Sequence, residues 1–194
     1  MKKILIFSLI VIIVVSCDNN STTPLPRGYF RIDLPLHEYR WSDSSYPYFF
    51  EYPVYSELGK TGSNPGQEYW LNMNYPQFKA TVYLSYKAVD NNLVDYLEDS
   101  YTLVSKHIPK AEDIKDSLII DRSRQVFGLT YKIEGSGAAS PFQFFVTDSA
   151  NHFLRGALYF NIKPNNDSLE PVIDFISKDL EHLVSTIRWN NKQD

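Results

Sequence analysis

The stretch SLEPVIDFISKDLEHLVSTI, residues 168–187, carries the clearest structural signal in the chain. Its apolar residues recur every three or four positions, the spacing that places side chains on one face of an α-helix. Asp167 or Ser168 can cap this helix, and Pro171 falls in its first turn, where a missing N–H does little harm. We expect a long helix whose apolar face packs on a sheet. The apolar stripe consists of Leu169, Val172, Ile173, Ile176, Leu180, Leu183, Val184 and Ile187.

Upstream of this helix, several segments alternate apolar with polar or small residues, which is the period of a half-buried β-strand. The segment 152–162 follows 142–147 across Asp148–Asn151, a run typical of a hairpin turn. By contrast, residues 59–68 and 135–140 are rich in turn-forming or small residues and are predicted to be loops. The predicted strands are 29–34, 46–53, 69–75, 78–87, 113–121, 125–134, 142–147 and 152–162.

A second helix is predicted from Asn91 to about His107, with Asn91 or Asn92 as its cap and Pro109 as its end. Six or seven strands, mostly neighbours in sequence, and two long helices predict an α+β fold with both helices packed on an antiparallel sheet. The element order is similar to the PsbP-like arrangement.

The N-terminus begins with the positive residues Lys2 and Lys3, followed by an apolar run over residues 4–15. This run is too short for a membrane span and fits the core of a signal peptide. It ends in Val-Val-Ser-Cys at 14–17, which resembles a bacterial lipobox. The resemblance implies a diacylglyceryl group on the Cys17 thiol, cleavage before Cys17 and acylation of the new amine, for example with palmitate. The alternatives are a secretory signal with an incidental cysteine and an uncleaved N-terminal anchor.

We therefore divide the chain into a signal peptide (1–16), a lipidated cysteine with a flexible tether (17–28) and a single α+β domain (29–194). The tether is polar and contains proline, without apolar periodicity. The whole chain has a formal net charge of −4, and loss of the two signal-peptide lysines makes the mature chain more acidic. An acidic domain is a poor candidate for binding nucleic acid. With its one cysteine lipidated, the chain can form neither a disulfide nor a thiolate metal site.

Most catalytic motifs are missing from the sequence. Gly59-Lys60 lacks the upstream glycine of a phosphate-binding loop, and no G-x-S-x-G elbow occurs. Lipidation removes Cys17 as a nucleophile. The histidines are widely separated in sequence, so a histidine metal site would need ligands from separate elements. They are His37, His107, His152 and His182.

Ser140, Asp148 and His152 have the residue types of a hydrolase triad. Asp148 and His152, however, flank the predicted hairpin turn, where aspartate is expected to bind backbone amides. We interpret Asp148 as a turn residue, and we predict no catalytic residues, no cofactor and no metal site.

Two further clusters each allow two interpretations. Asp95, Glu98 and Asp99 could bind a cation, but a solvated helix face with favourable N-terminal charges is the preferred account. An aromatic cluster could form an exposed, tyrosine-rich protein interface, but a partly covered edge strand is preferred. The cluster contains Tyr46, Tyr48, Phe49, Phe50, Tyr52 and Tyr55.

An ordered set of runs along the mature chain resembles the GldD gliding-motility lipoproteins. The resemblance implies a role in surface gliding and in the associated type IX protein secretion. Members of that family are not known as enzymes, so only Cys17 carries over as a functional position. The runs are NYPQFKATVYLSYK (74–87), AS (139–140), FFVTDS (144–149), HFLRGALYF (152–160), PN (164–165), DS (167–168) and IRW (187–189).

The leading hypothesis is a non-enzymatic, lipid-anchored protein of the cell envelope with its domain in the periplasm. Its predicted partners are the membrane, through the lipid, and other proteins of the gliding and secretion machinery. The alternative is an envelope lipoprotein that binds a small apolar or peptidoglycan-derived ligand between sheet and helices. A hydrolase that uses Ser140 and His152 is a third possibility.

Overall fold

This computed structural model describes residues 32–61, 64–162 and 165–190. Two α-helices lie in this part of the chain, α1 (Leu93–Ser105) and α2 (Asn166–Thr186), and short 3-10 turns form at Pro76–Phe78 and Ile108–Lys110. The strands are β1 (Tyr39–Trp41), β2 (Tyr48–Phe49), β3 (Glu51–Pro53), β4 (Glu57–Lys60), β5 (Leu71–Tyr75), β6 (Ala80–Ala88), β7 (Asp113–Asp121), β8 (Val126–Glu134), β9 (Phe142–Thr147), β10 (His152–Phe160) and β11 (Arg188–Trp189).

Seven of the strands form one antiparallel sheet in the order β4–β5–β6–β10–β9–β8–β7. Its centre is built from the alternating sequences recognised above. Val82 of β6 pairs with Leu158 of β10, and both side chains are fully buried. Hairpin turns join β7 to β8 and β9 to β10, so consecutive strands are neighbours. The predicted fold class, an antiparallel sheet with two main helices, is confirmed.

Helix α2 covers one face of the sheet with its apolar stripe, as predicted, and Ile176, Leu180 and Leu183 are fully buried. The predicted caps Asp167 and Ser168 are wrong, because the helix begins at Asn166 with Asn165 as the N-cap residue. Asn166 fixes this start, since its buried Nδ2 donates to the carbonyl oxygens of residues 135 and 138, each at 2.9 Å.

Because α2 begins earlier than predicted, Pro171 occupies a different position in the helix. It lies inside the helix rather than in the first turn, so that prediction is also wrong. At the other end α2 stops at Thr186, and Ile187 leaves the helix in an extended conformation while remaining fully buried. No helix in the described part of the chain is long and apolar enough to cross a bilayer.

Helix α1 packs on the opposite face of the sheet. Val104 joins a buried cluster with Tyr131, Phe145 and Phe153, whose side chains point away from the α2 face because side chains alternate along a strand. Asn92 is the N-cap residue but makes no side-chain cap bond, since its Oδ1 instead accepts from the backbone N–H at position 90. The helix is shorter than the predicted span at both ends.

The N-terminal region departs most from the sequence-based expectations. The predicted strand 46–53 is two short strands with different partners, because β2 pairs with β11 and β3 pairs with β1. Strand β4 lies partly within the predicted loop 59–68. Residues 32–34 of the predicted strand 29–34 are not in a strand, and its remaining residues, the leader, Cys17 and the tether lie outside the described residues.

Candidate functional site

A carboxylate is enclosed where α2 meets the N-terminal strands. Asp179 is fully buried, and its Oδ1 lies 2.7 Å from His37 Nδ1 and accepts from the Tyr39 hydroxyl at 3.0 Å. The Tyr55 hydroxyl lies 2.9 Å from both Oδ1 and Oδ2. Three side chains thus converge on one carboxylate, which supplies the acceptors that they need. We call Asp179, His37, Tyr39 and Tyr55 the Asp179 cluster.

Three parts of the chain position the cluster. His37 lies in the extended segment before β1, Tyr39 begins β1, and Tyr55 lies in the turn between β3 and β4. Asp179 comes from the middle of α2, one position before the buried Leu180. The local sequence therefore places a charged residue on the apolar stripe of the helix, and distant residues provide its partners.

Burial sets the electrostatics of the cluster. It raises the pKa of Asp179, whereas hydrogen bonds from Tyr55, His37 and Tyr39 act to lower it. Burial, and then the nearby Asp179, raises the pKa values of Tyr39 and Tyr55 well above the usual tyrosine range. Both hydroxyls therefore keep their protons and remain donors to the carboxylate at neutral pH.

Aromatic stacking extends the cluster along α2. The His37 ring stacks on Phe175 with centroids 4.3 Å apart, and the Tyr39 ring stacks on His182 at 3.7 Å. His182 Nε2 in turn lies 2.6 Å from Glu51 Oε2 in β3. The arrangement fastens the segment before β1, together with β1 and β3, to the helix. These contacts form a structural hydrogen-bond network that holds the N-terminal strands against α2.

Sequence reasoning missed this cluster. It treated His37 and His182 as distant from each other, whereas Tyr39 lies between them and contacts both rings. The available signal was Asp179 itself, because an aspartate one position before Leu180 on a buried stripe requires hydrogen-bond partners. Nothing in the local sequence indicates which residues those partners are.

The three residues of the hydrolase hypothesis each have a local role in the structure. Ser140 is fully buried, and its Oγ faces the carbonyl oxygen of Phe142 at 3.4 Å. Asp148 Oδ1 accepts from the backbone N–H groups of residues 150, 151 and 152 at 2.8–3.0 Å, as expected for a turn residue. His152 is buried, with Nδ1 2.8 Å from the Tyr86 hydroxyl and its ring stacked on Trp189.

The acidic residues of α1 face solvent. Asp95, Glu98 and Asp99 are all exposed, and Asp99 forms an ion pair with Lys87 at 3.6 Å. Within the described ranges, no three histidine, cysteine or acidic residues are grouped so that they could hold a metal ion.

The aromatic cluster of residues 46–55 contributes to the core rather than to an open surface. Tyr48, Phe50 and Tyr52 are buried, and Tyr46, Phe49 and Tyr55 are half-buried. Tyr48 donates to the backbone oxygen at position 69 at 2.7 Å, and its ring stacks on Tyr86. The structure therefore agrees with the covered-strand interpretation.

Taken together, the sequence and the structure define a domain of the α+β class. The family model described as "Gliding motility lipoprotein GldD" matches residues 19–189, and the chain belongs to this family. The family resemblance inferred from the sequence is confirmed. Membership implies involvement in gliding motility and lipid anchoring of the chain to an envelope membrane. Cys17 itself lies just before the matched residues.

Among solved structures, the chain is similar to cyanobacterial PsbP (CyanoP) from Synechocystis sp. PCC 6803, determined in solution. The TM-score is 0.46 at 11% sequence identity, and the match covers 86% of this chain and 99% of that chain. No curated protein matches the chain significantly.

Proposed function

We propose that this chain is a non-enzymatic, lipid-anchored envelope protein that supports gliding motility and the associated type IX secretion through contacts with other proteins. Family membership supports the connection to gliding. The observation that supports the protein-contact part is an apolar surface at the β7 edge of the sheet, where no other strand of the described residues pairs. Catalysis has less support, since Ser140, Asp148 and His152 make local structural contacts.

The apolar surface is centred on β7, the last strand of the seven-stranded sheet. Leu118 and Ile120 of this strand are 69% and 60% exposed. Their cross-strand neighbours on β8, Leu129 and Phe127, are half-buried and continue the surface. On α1, Tyr101 is 66% exposed and lies near Tyr131 of the same sheet face. We call Tyr101, Leu118, Ile120, Phe127 and Leu129 the β7 surface.

Edge strands usually carry charges or prolines that prevent another chain from adding to the sheet. Here the charges lie in the first half of β7, at Asp113, Lys115 and Asp116, and at its last residue, Asp121, which pairs with Arg124. The middle of the strand presents Leu118 and Ile120 to solvent. An apolar centre with a polar rim is the usual organisation of a protein interface. The β7 surface is therefore the proposed contact site.

The proposal is tested by complementing a strain that lacks the gene. The double variant Leu118→Lys/Ile120→Lys places two charges in the centre of the surface. Ser117→Lys is the matched control, because residue 117 is exposed on the same strand but points to the other face. We expect the control to restore gliding and secretion and the double variant to restore neither, at equal membrane abundance and melting temperature.

Two results would contradict the proposal. If the deletion strain glides and secretes normally, the protein has no required role in gliding or type IX secretion. Full complementation by the double variant would remove the β7 surface as the contact site, while leaving the role in gliding intact. A photo-crosslinking residue at position 118 should capture the partner protein. The same residue at position 117, on the other face, is the control and should not capture it.

A further inference from the structure

A half-buried arginine on the α1 side of the sheet has no acidic partner. Arg155 of β10 donates to Gln143 Oε1 of β9, and Tyr159 lies nearby, four residues along the same strand. No carboxylate of the described residues lies within ion-pair distance of its guanidinium. In contrast, the half-buried Arg124 is paired with Asp121 at 2.7 Å. A neutral amide oxygen thus holds Arg155 in place, and several of its five N–H donors remain available.

The amide that holds Arg155 is itself incompletely bonded. Gln143 is 1% exposed, and because arginine can only donate, Oε1 must face the guanidinium. Nε2 then points away, buried and with no hydrogen-bond partner in the described part of the chain. An unpaired buried donor is destabilising and requires an explanation. The orientation imposed by Arg155 provides one, since the amide is held with its oxygen toward the guanidinium.

A histidine lies near Arg155. His107, in the turn after α1, lies close enough for Arg155 to act on it. Burial, and then the charge of Arg155, lowers the pKa of His107, so its ring is neutral at pH 7. Among Arg155, Gln143, Tyr159 and His107, the guanidinium of Arg155 is the charged group at pH 7, and it has donors to spare. A monoanion such as a carboxylate matches this charge, whereas a phosphate dianion would leave a negative charge uncompensated.

The sheet beside Arg155 offers an aromatic wall. Tyr159 and Tyr83 lie on the same face in an edge-to-face arrangement, with ring centroids 5.7 Å apart, and Tyr83 is 41% exposed. This wall can contact the apolar body of a ligand whose acid group bonds to Arg155.

We propose that Arg155 binds the carboxylate of a small organic acid with a flat apolar body, and that Gln143 is the positioning residue that orients the guanidinium. The site lies on the sheet face opposite α2 and is separate from the Asp179 cluster. Binding there does not depend on the role in gliding, so either proposal can fail without the other.

The test uses full-length lipoprotein in detergent micelles with sodium benzoate as the probe. Binding is followed by the shift in melting temperature at constant ionic strength and neutral pH, with sodium phosphate and sodium chloride in parallel. We expect benzoate alone to raise the melting temperature. Arg155→Gln should weaken benzoate binding by about tenfold or more, as expected for loss of a charge-assisted hydrogen bond. Arg122→Gln, at an exposed arginine, should leave it unchanged.

A second variant keeps the test independent of folding defects. Gln143→Glu replaces the unpaired Nε2 with an acceptor and supplies Arg155 with an internal carboxylate. The variant should fold at least as stably as the wild type and should no longer bind benzoate. The proposal is overturned if Arg155→Gln or Gln143→Glu binds benzoate as tightly as the wild type does. It is also overturned if phosphate raises the melting temperature as much as benzoate, or if benzoate does not raise that of the wild type.

Discussion

Nδ1 of His37 lies 2.7 Å from Oδ1 of Asp179, although the two residues are 142 positions apart in sequence. This contact joins the segment before β1 to the middle of α2. Asp179 is fully buried, so its hydrogen-bond partners determine whether its burial is tolerated. The stability of the domain should therefore respond to small changes in this cluster.

Removing one hydroxyl from the Asp179 cluster should be costly. Tyr55 lies 2.9 Å from both carboxylate oxygens, so Tyr55→Phe removes a hydrogen bond to a buried carboxyl group. We expect the free energy of unfolding to fall by about 1.5–3 kcal/mol, measured by denaturant titration. The control Tyr101→Phe, at a 66% exposed tyrosine, should change it by less than about 0.5 kcal/mol. Equal effects of the two variants would contradict the assigned role of Tyr55.

The ionisation of Asp179 should make the stability of the protein depend on pH. Burial raises the pKa of this carboxyl above its ordinary value of 3.8, despite the opposing hydrogen bonds. The folded state therefore retains a proton that the unfolded state has lost in the range just above 3.8. The contribution of Asp179 to the free energy of unfolding is fully present below pH 3.8 and is lost as the pH rises through the raised pKa. Subtracting the stability curve of Asp179→Asn from that of the wild type should reveal this decline, and a difference that rises with pH would refute it.

Asp148 should show the opposite dependence. Burial works against its ionisation, but the backbone N–H groups of residues 152, 150 and 151 outweigh that effect and lower its pKa. Its contribution to stability is present above the ordinary value of 3.8 and is lost as the pH falls through the lowered pKa. Asp148→Ala should therefore lose stability at neutral pH and lose progressively less in acid. Asp174→Ala, at an exposed position of α2, serves as the control.

A methyl group at position 128 should disrupt the pairing of β8 with β9. A Cβ on Gly128 would lie 1.9 Å from the backbone oxygen of Phe145, which cannot move without breaking the ladder. We expect Gly128→Ala to destabilise the protein by about 3 kcal/mol or more. Gly59→Ala, where no atom lies within 4 Å of the added Cβ, should have little effect on the thermal midpoint. A wild-type midpoint for both variants would disprove the steric argument.

Lipidation at Cys17 should determine where the protein resides. Cys17→Ala removes the thiol that the predicted lipobox offers for acylation, so we expect an uncleaved precursor that takes up no labelled fatty acid. Two or more acyl chains on one residue give a stable anchor, and an unmodified chain has none. Metabolic labelling and gel mobility check the result, with Asn19→Ala in the tether as the control. Fatty-acid labelling of Cys17→Ala would show that the lipid is attached elsewhere.

The central sheet and both helices could be predicted because their signals are local. Strands such as β6 repeat every two residues, and the stripe of α2 repeats every three or four, so short windows of sequence are sufficient. The start of α2 was misplaced because Asn166 is held by backbone oxygens about thirty positions earlier, at residues 135 and 138. Capping rules consider only neighbouring residues and do not include such a contact.

The N-terminal strands and the Asp179 cluster could not be predicted for the same physical reason. Strand β2 has two residues and forms because β11, near the other end of the chain, pairs with it. Tyr55 and His37 become partners of Asp179 only when α2 has packed on the sheet. These contacts depend on tertiary structure, which overrides weak local preferences.

The pairing of β2 with β11 also determines when the fold can close. The N-terminal strands dock on α2 and β11, which are the last elements of the domain to be synthesised. A chain that emerges from the ribosome with its N-terminus first must therefore leave residues 37–53 undocked until α2 and β11 have been made. Contacts of such large sequence separation form slowly, so this part of the fold closes late. If the predicted signal peptide directs export, late closure favours translocation before folding.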